Sequence, residues 1–216
     1  EDHPRSLGNL QPDAPPVDGV LRRADLVLVF GSKLGAAETE NGAMYLPSNL
    51  IQIDIDPEEI GRNYPVSQAI VSDARLAAEA LVEALSSAGI SKPGWNVDEI
   101  ARVRQEALSQ ALGAEQAPYI DALRRAIPRD GILVNDATMM SYTAQRRYPV
   151  YEPRTFLVPA GYLTLGASMP MALGAKIARP EKTVISIVGD GGFQFTMHEL
   201  ATAVQFRIGV PIVIFN

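Results

Sequence analysis

Residues 184–216 constrain the fold of this chain more than any other segment. The run VISIVGD (184–190) is apolar and rich in β-branched residues, and the final run PIVIFN repeats that pattern. Such continuous apolar runs are typical of strands that are buried on both faces of a parallel sheet. Between them, Thr196 and Glu199 fit a capping box that predicts a helix over residues 197–208. The segment is therefore predicted to be a βαβ unit.

Strands and helices alternate along the rest of the chain as well. Helical apolar stripes, a helix start near Pro118 and a helix stop at Gly89 are readable in the sequence. The predicted strands cover 25–31, 49–56, 131–136 and 155–159, and the other predicted helices cover 73–87, 98–112 and 167–178. This alternation predicts an α/β fold with parallel sheets, in which ligands bind beyond the carboxyl ends of the strands.

The chain divides into three blocks. Residues 1–89 and 117–216 each carry strands and helices, whereas residues 90–116 read as a charged helical connector. The net charge of −6 favours neither nucleic acid nor an anionic membrane as a partner. No apolar run is long enough to span a membrane. The absence of cysteine excludes disulfides and thiolate metal sites and fits a reducing compartment, so we expect a cytoplasmic protein.

The tetrapeptide GDGG (189–192) has the composition of a metal and phosphate site. Asp190 comes at the end of an apolar strand, where a carboxylate suits a magnesium ion that bridges to a diphosphate. Gly191 and Gly192 would let the backbone approach the phosphates, and the start of a helix favours negative charge. The alternative is a turn-forming aspartate without a ligand.

GDG followed by Asn216 at the end of the next strand resembles the signature of thiamine diphosphate enzymes. The segments IQIDIDPEEIGRN, VSDARLAAEAL, APYIDALRRAIPRDGILVNDAT and AGYLTLGASMPMALGAKIARP resemble the acetolactate synthase branch of that superfamily. The resemblance implies two partial doubly wound parallel-sheet domains. Residues 1–89 would be the C-terminal part of the middle domain and residues 117–216 the N-terminal part of the diphosphate-binding domain.

The resemblance also implies which residues bind the cofactor. Asp190 would ligate Mg²⁺; the second metal ligand would fall at position 217, so Asn216 counts as a cofactor contact and not as a ligand. In the loop AGYLTLG (160–166), main-chain groups would bind the aminopyrimidine and Leu165 would support the bent cofactor; the alternative is a loop packed in the core. The implied cofactor-binding residues are Thr138, Met139, Tyr162, Leu163, Thr164, Leu165, Gly189, Asp190, Gly191, Gly192 and Asn216.

Two positions depart from the family pattern. Leu163 stands where close relatives usually have glycine, so it would be strained if that position requires a positive φ. Thr138 and Met139 stand where acetolactate synthases have Gln-His. Thr138 can still donate through its hydroxyl, whereas Met139 has only its backbone. This second departure argues against a standard biosynthetic acetolactate synthase.

The resemblance implies thiamine diphosphate- and Mg²⁺-dependent decarboxylation or carboligation of a small 2-oxo acid, as in acetolactate synthase. Simple decarboxylation, as in guanidino-2-oxopentanoate decarboxylase, is the alternative, and a non-catalytic cofactor-binding module is a second hypothesis. The family's activating glutamate lies in a first domain that this chain lacks, so the chain alone is expected to be inactive. We expect a homodimer or homotetramer of the full-length protein. The arginine-rich segment of flavin-binding members is absent, which argues against FAD.

Overall fold

Every strand pair in the described part of the chain is parallel, which confirms the α/β fold class. The computed structural model describes residues 1–9, 15–111 and 113–216. They form two compact units, one within Leu10–Ala107 and the other comprising Glu1–Asn9 and Leu108–Asn216. The predicted blocks did not anticipate that the first nine residues belong to the second unit.

The first unit is built on a three-stranded sheet whose strands lie in the order β1 (Val27–Phe30), β2 (Leu50–Asp54), β3 (Gln68–Val71). Its core is formed by apolar side chains from β1, β2 and the loop between them, including Val29, Leu34 and Leu50. Gly89 has a φ of +63° and follows the last helical turn, as predicted for a helix stop. The helices of this part of the chain are α1 (Pro15–Leu21), α2 (Ala74–Ser87) and α3 (Val97–Gln110), and the boundary between the units falls within α3, after Ala107.

The second unit is built on a four-stranded sheet whose strands lie in the order β5 (Phe156–Leu157), β4 (Ile132–Asn135), β6 (Val184–Gly189), β7 (Ile212–Phe215). A short 3₁₀ turn, Ala114–Gln116, precedes the first of its helices. The elements that follow are α4 (Ala117–Ala126), β4 (Ile132–Asn135), α5 (Met139–Arg147), β5 (Phe156–Leu157), α6 (Ser168–Ala178), β6 (Val184–Gly189), α7 (Asp190–Thr196), α8 (Glu199–Gln205) and β7 (Ile212–Phe215).

The core of this unit lies on both faces of β4 and β6. On one face, Leu133 and Ile187 pack with Ile120 of α4 and Met140 of α5. On the other face, side chains of β4 and β6 pack against Ala172 of α6. Because both faces are covered, the central strands contain almost no polar residue, which is why they were readable from sequence.

The helix predicted over residues 197–208 is wrong in its bounds, and so is its capping box. The chain turns helical directly at Asp190, so Thr196 is the last residue of α7 and not an N-cap. Its hydroxyl donates to the Gly166 carbonyl oxygen at 2.8 Å, and this tertiary contact replaces the local cap. α8 begins at Glu199 without a side-chain cap, and Arg207, with a φ of +54°, follows its end.

The other predicted elements match within a few residues at their ends. The predicted helix over 98–112 corresponds to α3, and its last residue, 112, lies outside the described residues. Four helices and strands of the described residues were not predicted: α1, β3, α5 and α7. None of the helices that the structure describes is both long and apolar enough to cross a membrane.

Tyr148, at the end of α5, has a buried hydroxyl with no hydrogen-bond partner among the described residues. Its ring stacks on Phe156 at 5.6 Å, and the Arg124 guanidinium lies 4.6 Å from the ring centroid. Burial raises the pKa of Tyr148 from 10.0 to about 12, although the positive charge of Arg124 acts to lower it. The folded protein therefore holds this phenol neutral at pH values where the unfolded chain ionises it.

We expect a stability loss above pH ~10 that is specific to Tyr148. A raised folded-state pKa stabilises the fold fully below the unfolded pKa, and that contribution disappears as pH rises from 10.0 to about 12. The loss should approach about 2 kcal/mol. Urea unfolding across this pH range should show it for the wild type and not for Tyr148→Phe, which keeps the packing. Equal pH dependence of the two proteins would contradict the assignment.

Candidate functional site

A cavity of about 960 Å³ opens at the carboxyl ends of β4, β6 and β7 in the second unit. This is the edge of a parallel sheet where ligands are expected. Its walls come from the segments that follow these strands and from the turn before α4. The lining residues are Glu115, Gln116, Tyr119, Ala137, Thr138, Met139, Met140, Leu165, Gly189, Asp190, Gly191, Gly192, Phe195, Ile214, Phe215 and Asn216.

Asp190 lies where β6 passes directly into α7, and this exposed residue lines the cavity at a helix start. No described residue donates a hydrogen bond to this carboxylate, which leaves both oxygens available to a ligand. Gly189 is the N-cap and has no side chain to cap the first-turn amides of α7. Those amides therefore remain available for an anion.

Strand register brings Asn216 to the same edge of the sheet. Gly189 of β6 pairs with Phe215 of β7, so the residues that follow each of them are neighbours at the cavity. The phenyl ring of Phe215 packs edge-on against Tyr119 at 5.8 Å, which forms one wall. The structure therefore brings together the two ends of the predicted βαβ signature.

Thr138 also lines the cavity, as the N-cap of α5. Its Oγ1 accepts a hydrogen bond from the Ser141 amide at 3.1 Å, which leaves the hydroxyl proton free to donate. A Cβ added at Gly189 would lie 3.3 Å from Thr138 Cγ2, so the glycine permits this close approach. Met139 is the first residue of α5 and its side chain is 67% exposed.

The loop of residues 160–166 contributes one of its four predicted residues to the cavity. Leu165 lines the cavity, whereas Tyr162, Leu163 and Thr164 are exposed and lie outside its lining. Leu163 has a φ of +49°, the left-handed region that favours glycine. The condition under which the sequence predicted strain at Leu163 is therefore met.

We expect Leu163→Gly to be better tolerated than Leu165→Gly. Both leucines are 47% exposed on the same loop, but only Leu163 has a positive φ. Relief of the left-handed strain should favour Leu163→Gly over Leu165→Gly by about 1 kcal/mol in unfolding free energy. Urea midpoints of the two variants and the wild type measure this difference. A larger loss of stability in Leu163→Gly would contradict it.

Asp136, which directly follows β4, was not among the residues singled out from the sequence. Its carboxylate is fully buried, and both oxygens accept the Gly166 amide hydrogen, at 2.9 and 3.0 Å. Ser168 donates to it through its hydroxyl at 3.1 Å and its amide at 3.4 Å. Its position could have singled it out in the sequence, because Asp136 directly follows β4 just as Asp190 directly follows β6.

The residues at this edge fit a diphosphate bound through Mg²⁺. A Cβ at Gly191 would meet no heavy atom within 4 Å, so the backbone there borders open space. One free carboxylate and uncapped amides supply the ligands that a magnesium ion and phosphate oxygens require. Among the described residues, no group of three His, Cys, Asp or Glu side chains comes together to hold a metal. Magnesium does not need one when phosphates and water complete its shell.

A parallel α/β sheet with a phosphate-compatible glycine turn at its carboxyl edge defines the class of cofactor-binding α/β domains. Comparison with known families is more specific. The model for "Thiamine pyrophosphate enzyme, central domain" matches residues 1–81, and the model for "Thiamine pyrophosphate enzyme, C-terminal TPP binding domain" matches residues 136–216. The chain belongs to the thiamine pyrophosphate enzyme family.

Curated relatives include both decarboxylases and acetolactate synthases. The chain is 34% identical to "Probable 2-ketoarginine decarboxylase AruI" of Pseudomonas aeruginosa, over 96% of the chain and 39% of the relative. It is 32% identical to "Acetolactate synthase isozyme 3 large subunit" of Escherichia coli, over 91% of the chain and 36% of the relative. "Benzoylformate decarboxylase" of P. aeruginosa is 32% identical, over 89% and 35%. The chain thus spans less than two fifths of the length of each of these relatives.

Proposed function

We propose that this chain carries the diphosphate-anchoring part of a thiamine diphosphate- and Mg²⁺-dependent enzyme that acts on a 2-oxo acid. The observation that carries the proposal is Asp190, whose unpaired carboxylate lines the cavity beside the uncapped start of α7. Family membership supports the cofactor, and the chemistry of this edge supports the metal.

Each wall of the cavity has a part in this proposal. Asp190 holds the magnesium ion, and the amides of Gly191 and Gly192 approach the phosphate oxygens. Thr138 donates a hydrogen bond from its hydroxyl to the diphosphate, and Met139 donates one from its backbone amide. Leu165 supports the ring end of the cofactor from the loop of residues 160–166. When bound, thiamine diphosphate supplies the electron sink that decarboxylation of a 2-oxo acid requires.

The domain organisation forms part of the proposal. Residues 1–89 are the C-terminal part of the central domain, residues 90–116 are a connector, and residues 117–216 are the N-terminal part of the cofactor-binding domain. The family matches over 1–81 and 136–216 support this division. The full-length protein is a cytoplasmic homodimer or homotetramer that does not require FAD. Light scattering tests the oligomeric state, and the absorbance spectrum of the purified protein tests whether FAD is bound.

Two reactions compete within the proposal. Carboligation follows from the resemblance to acetolactate synthases, and simple decarboxylation follows from the resemblance to decarboxylases. Thr138 and Met139, in place of the Gln-His of acetolactate synthases, favour decarboxylation.

The experiment uses the full-length polypeptide with Mg²⁺, with and without thiamine diphosphate. Pyruvate and 5-guanidino-2-oxopentanoate are offered as 2-oxo acids, and both carbon dioxide and the coupled product are measured. Cofactor-dependent carbon dioxide release supports the proposal, and formation of acetolactate from pyruvate would assign carboligation. Binding of flavin or ADP without any binding of thiamine diphosphate would overturn it in favour of a non-catalytic module.

A further inference from the structure

Asp136 is a buried carboxylate that the proposed function leaves unused. Its side chain is 0% exposed, and none of the arginine, lysine or histidine side chains in the described residues forms an ion pair with it. A buried carboxylate is costly unless hydrogen bonds satisfy it. The donors come from Ala137, Gly166 and Ser168, so most of them lie far along the chain.

The distant donors, Gly166 and Ser168, belong to the start of α6. Ala167 occupies the N-cap position, and its side chain cannot accept a hydrogen bond. Asp136 supplies the missing acceptor from the end of β4, through the Gly166 amide and both donors of Ser168. A negative charge at this position also complements the helix dipole. Asp136, which follows β4, therefore caps α6 from a distant part of the chain.

Gly166 is held from both sides. Its amide donates to Asp136, and its carbonyl oxygen accepts the hydroxyl of Thr196 at 2.8 Å. Thr196 ends the helix that Asp190 begins. A Cβ at Gly192, in the same helix, would lie 3.3 Å from the carboxyl carbon of Asp136. Three segments thus meet at one point: the end of β4, the loop of residues 160–166 and α7.

We propose that Asp136 and Thr196 are positioning residues that clamp Gly166 and so fix Leu165 in the lining of the cavity that also contains Asp190. The proposal rests on the proposed function, since Leu165 supports the ring end of thiamine diphosphate there. The clamp acts through Gly166 and Leu165, and neither of these residues is assigned to the diphosphate. Its loss should weaken binding of the complete cofactor and spare binding of the diphosphate alone.

The first test measures amide hydrogen exchange in the full-length polypeptide without cofactor. Asp136→Asn and Thr196→Val each remove part of the clamp with little change of shape, and Asp121→Asn and Thr202→Val are matched controls outside the cavity lining. The amides of Gly166 and Ser168 should exchange about tenfold faster in both clamp variants than in the wild type. In the controls, they should exchange at the wild-type rate. Unchanged exchange in the clamp variants would overturn the proposal. If Asp136→Asn fails to fold, the exchange rates in Thr196→Val alone still test the proposal.

The second test compares two ligands by calorimetry: Mg²⁺ with thiamine diphosphate and Mg²⁺ with inorganic diphosphate. Both clamp variants should bind thiamine diphosphate about tenfold more weakly and inorganic diphosphate as the wild type does. A general structural role would weaken both equally, which would overturn the proposal. A wild type that binds diphosphate but not thiamine diphosphate would overturn the proposed function, whereas the exchange data would still report on the clamp.

Discussion

Asp190→Asn should lower the affinity of the full-length polypeptide for thiamine diphosphate at least about 100-fold in the presence of Mg²⁺. The carboxylate lies at the junction of β6 and α7 and has no donor among the described residues, so the substitution disturbs no visible hydrogen bond. An amide is a poor ligand for magnesium because it carries no charge. The loss should therefore be one of metal-mediated binding, with the fold intact.

Calorimetry with and without Mg²⁺ measures this effect. Asp121→Asn is the matched control, because Asp121 is an exposed aspartate of the same unit outside the cavity lining. We expect the control to bind as the wild type does. Retention of wild-type, magnesium-dependent affinity by Asp190→Asn would remove the basis of the proposed function.

Gly166→Ala should destabilise the second unit by about 3 kcal/mol or more. Gly166 has a φ of +81°, and an added Cβ would lie 2.8 Å from the Cβ of Phe195 and 3.2 Å from the Gly192 carbonyl oxygen. Neither neighbour is the far end of a flexible side chain, so the loop or α7 has to move. The backbone strain of an alanine at this positive φ and the cost of moving the loop or α7 both lower the stability.

Gly161→Ala provides the control on the same loop. A Cβ at Gly161 would meet no heavy atom within 4 Å, and its φ is not positive. This variant should change stability by less than about 0.5 kcal/mol. Urea unfolding of the two variants makes the comparison. Equal stability of both would show that the packing around Gly166 adapts to an extra methyl group.

The strands were predictable because their burial leaves a simple pattern in the sequence. β4 and β6 are covered on both faces, so their apolar runs are continuous. β3 was missed because it is a short, exposed edge strand whose residues carry no such signal. α7 was missed because two glycines in its first turn read as a loop, and tertiary packing overrides that weak propensity.

The candidate site was predictable where its residues lie next to strands that are recognisable in the sequence. Asp190 and its glycines adjoin a recognisable strand, and Thr138 lies in the short segment that follows another. The hydrogen bonds of Asp136 with Gly166 and Ser168 were not predictable, because they join segments that are distant in sequence. Thr196 shows the same limit, since its local pattern predicted a cap and its observed partner is a distant carbonyl group.

The parallel pairing of the second sheet also has a kinetic consequence. No hairpin joins neighbouring strands, and the central pair brings Ile132 next to Val184. Long stretches of chain must be closed into loops before such a pairing contributes any free energy, which slows folding relative to helical or hairpin proteins. Assembly of this unit is therefore expected to be slow, and its unpaired strand edges would be open to aggregation until the sheet is complete.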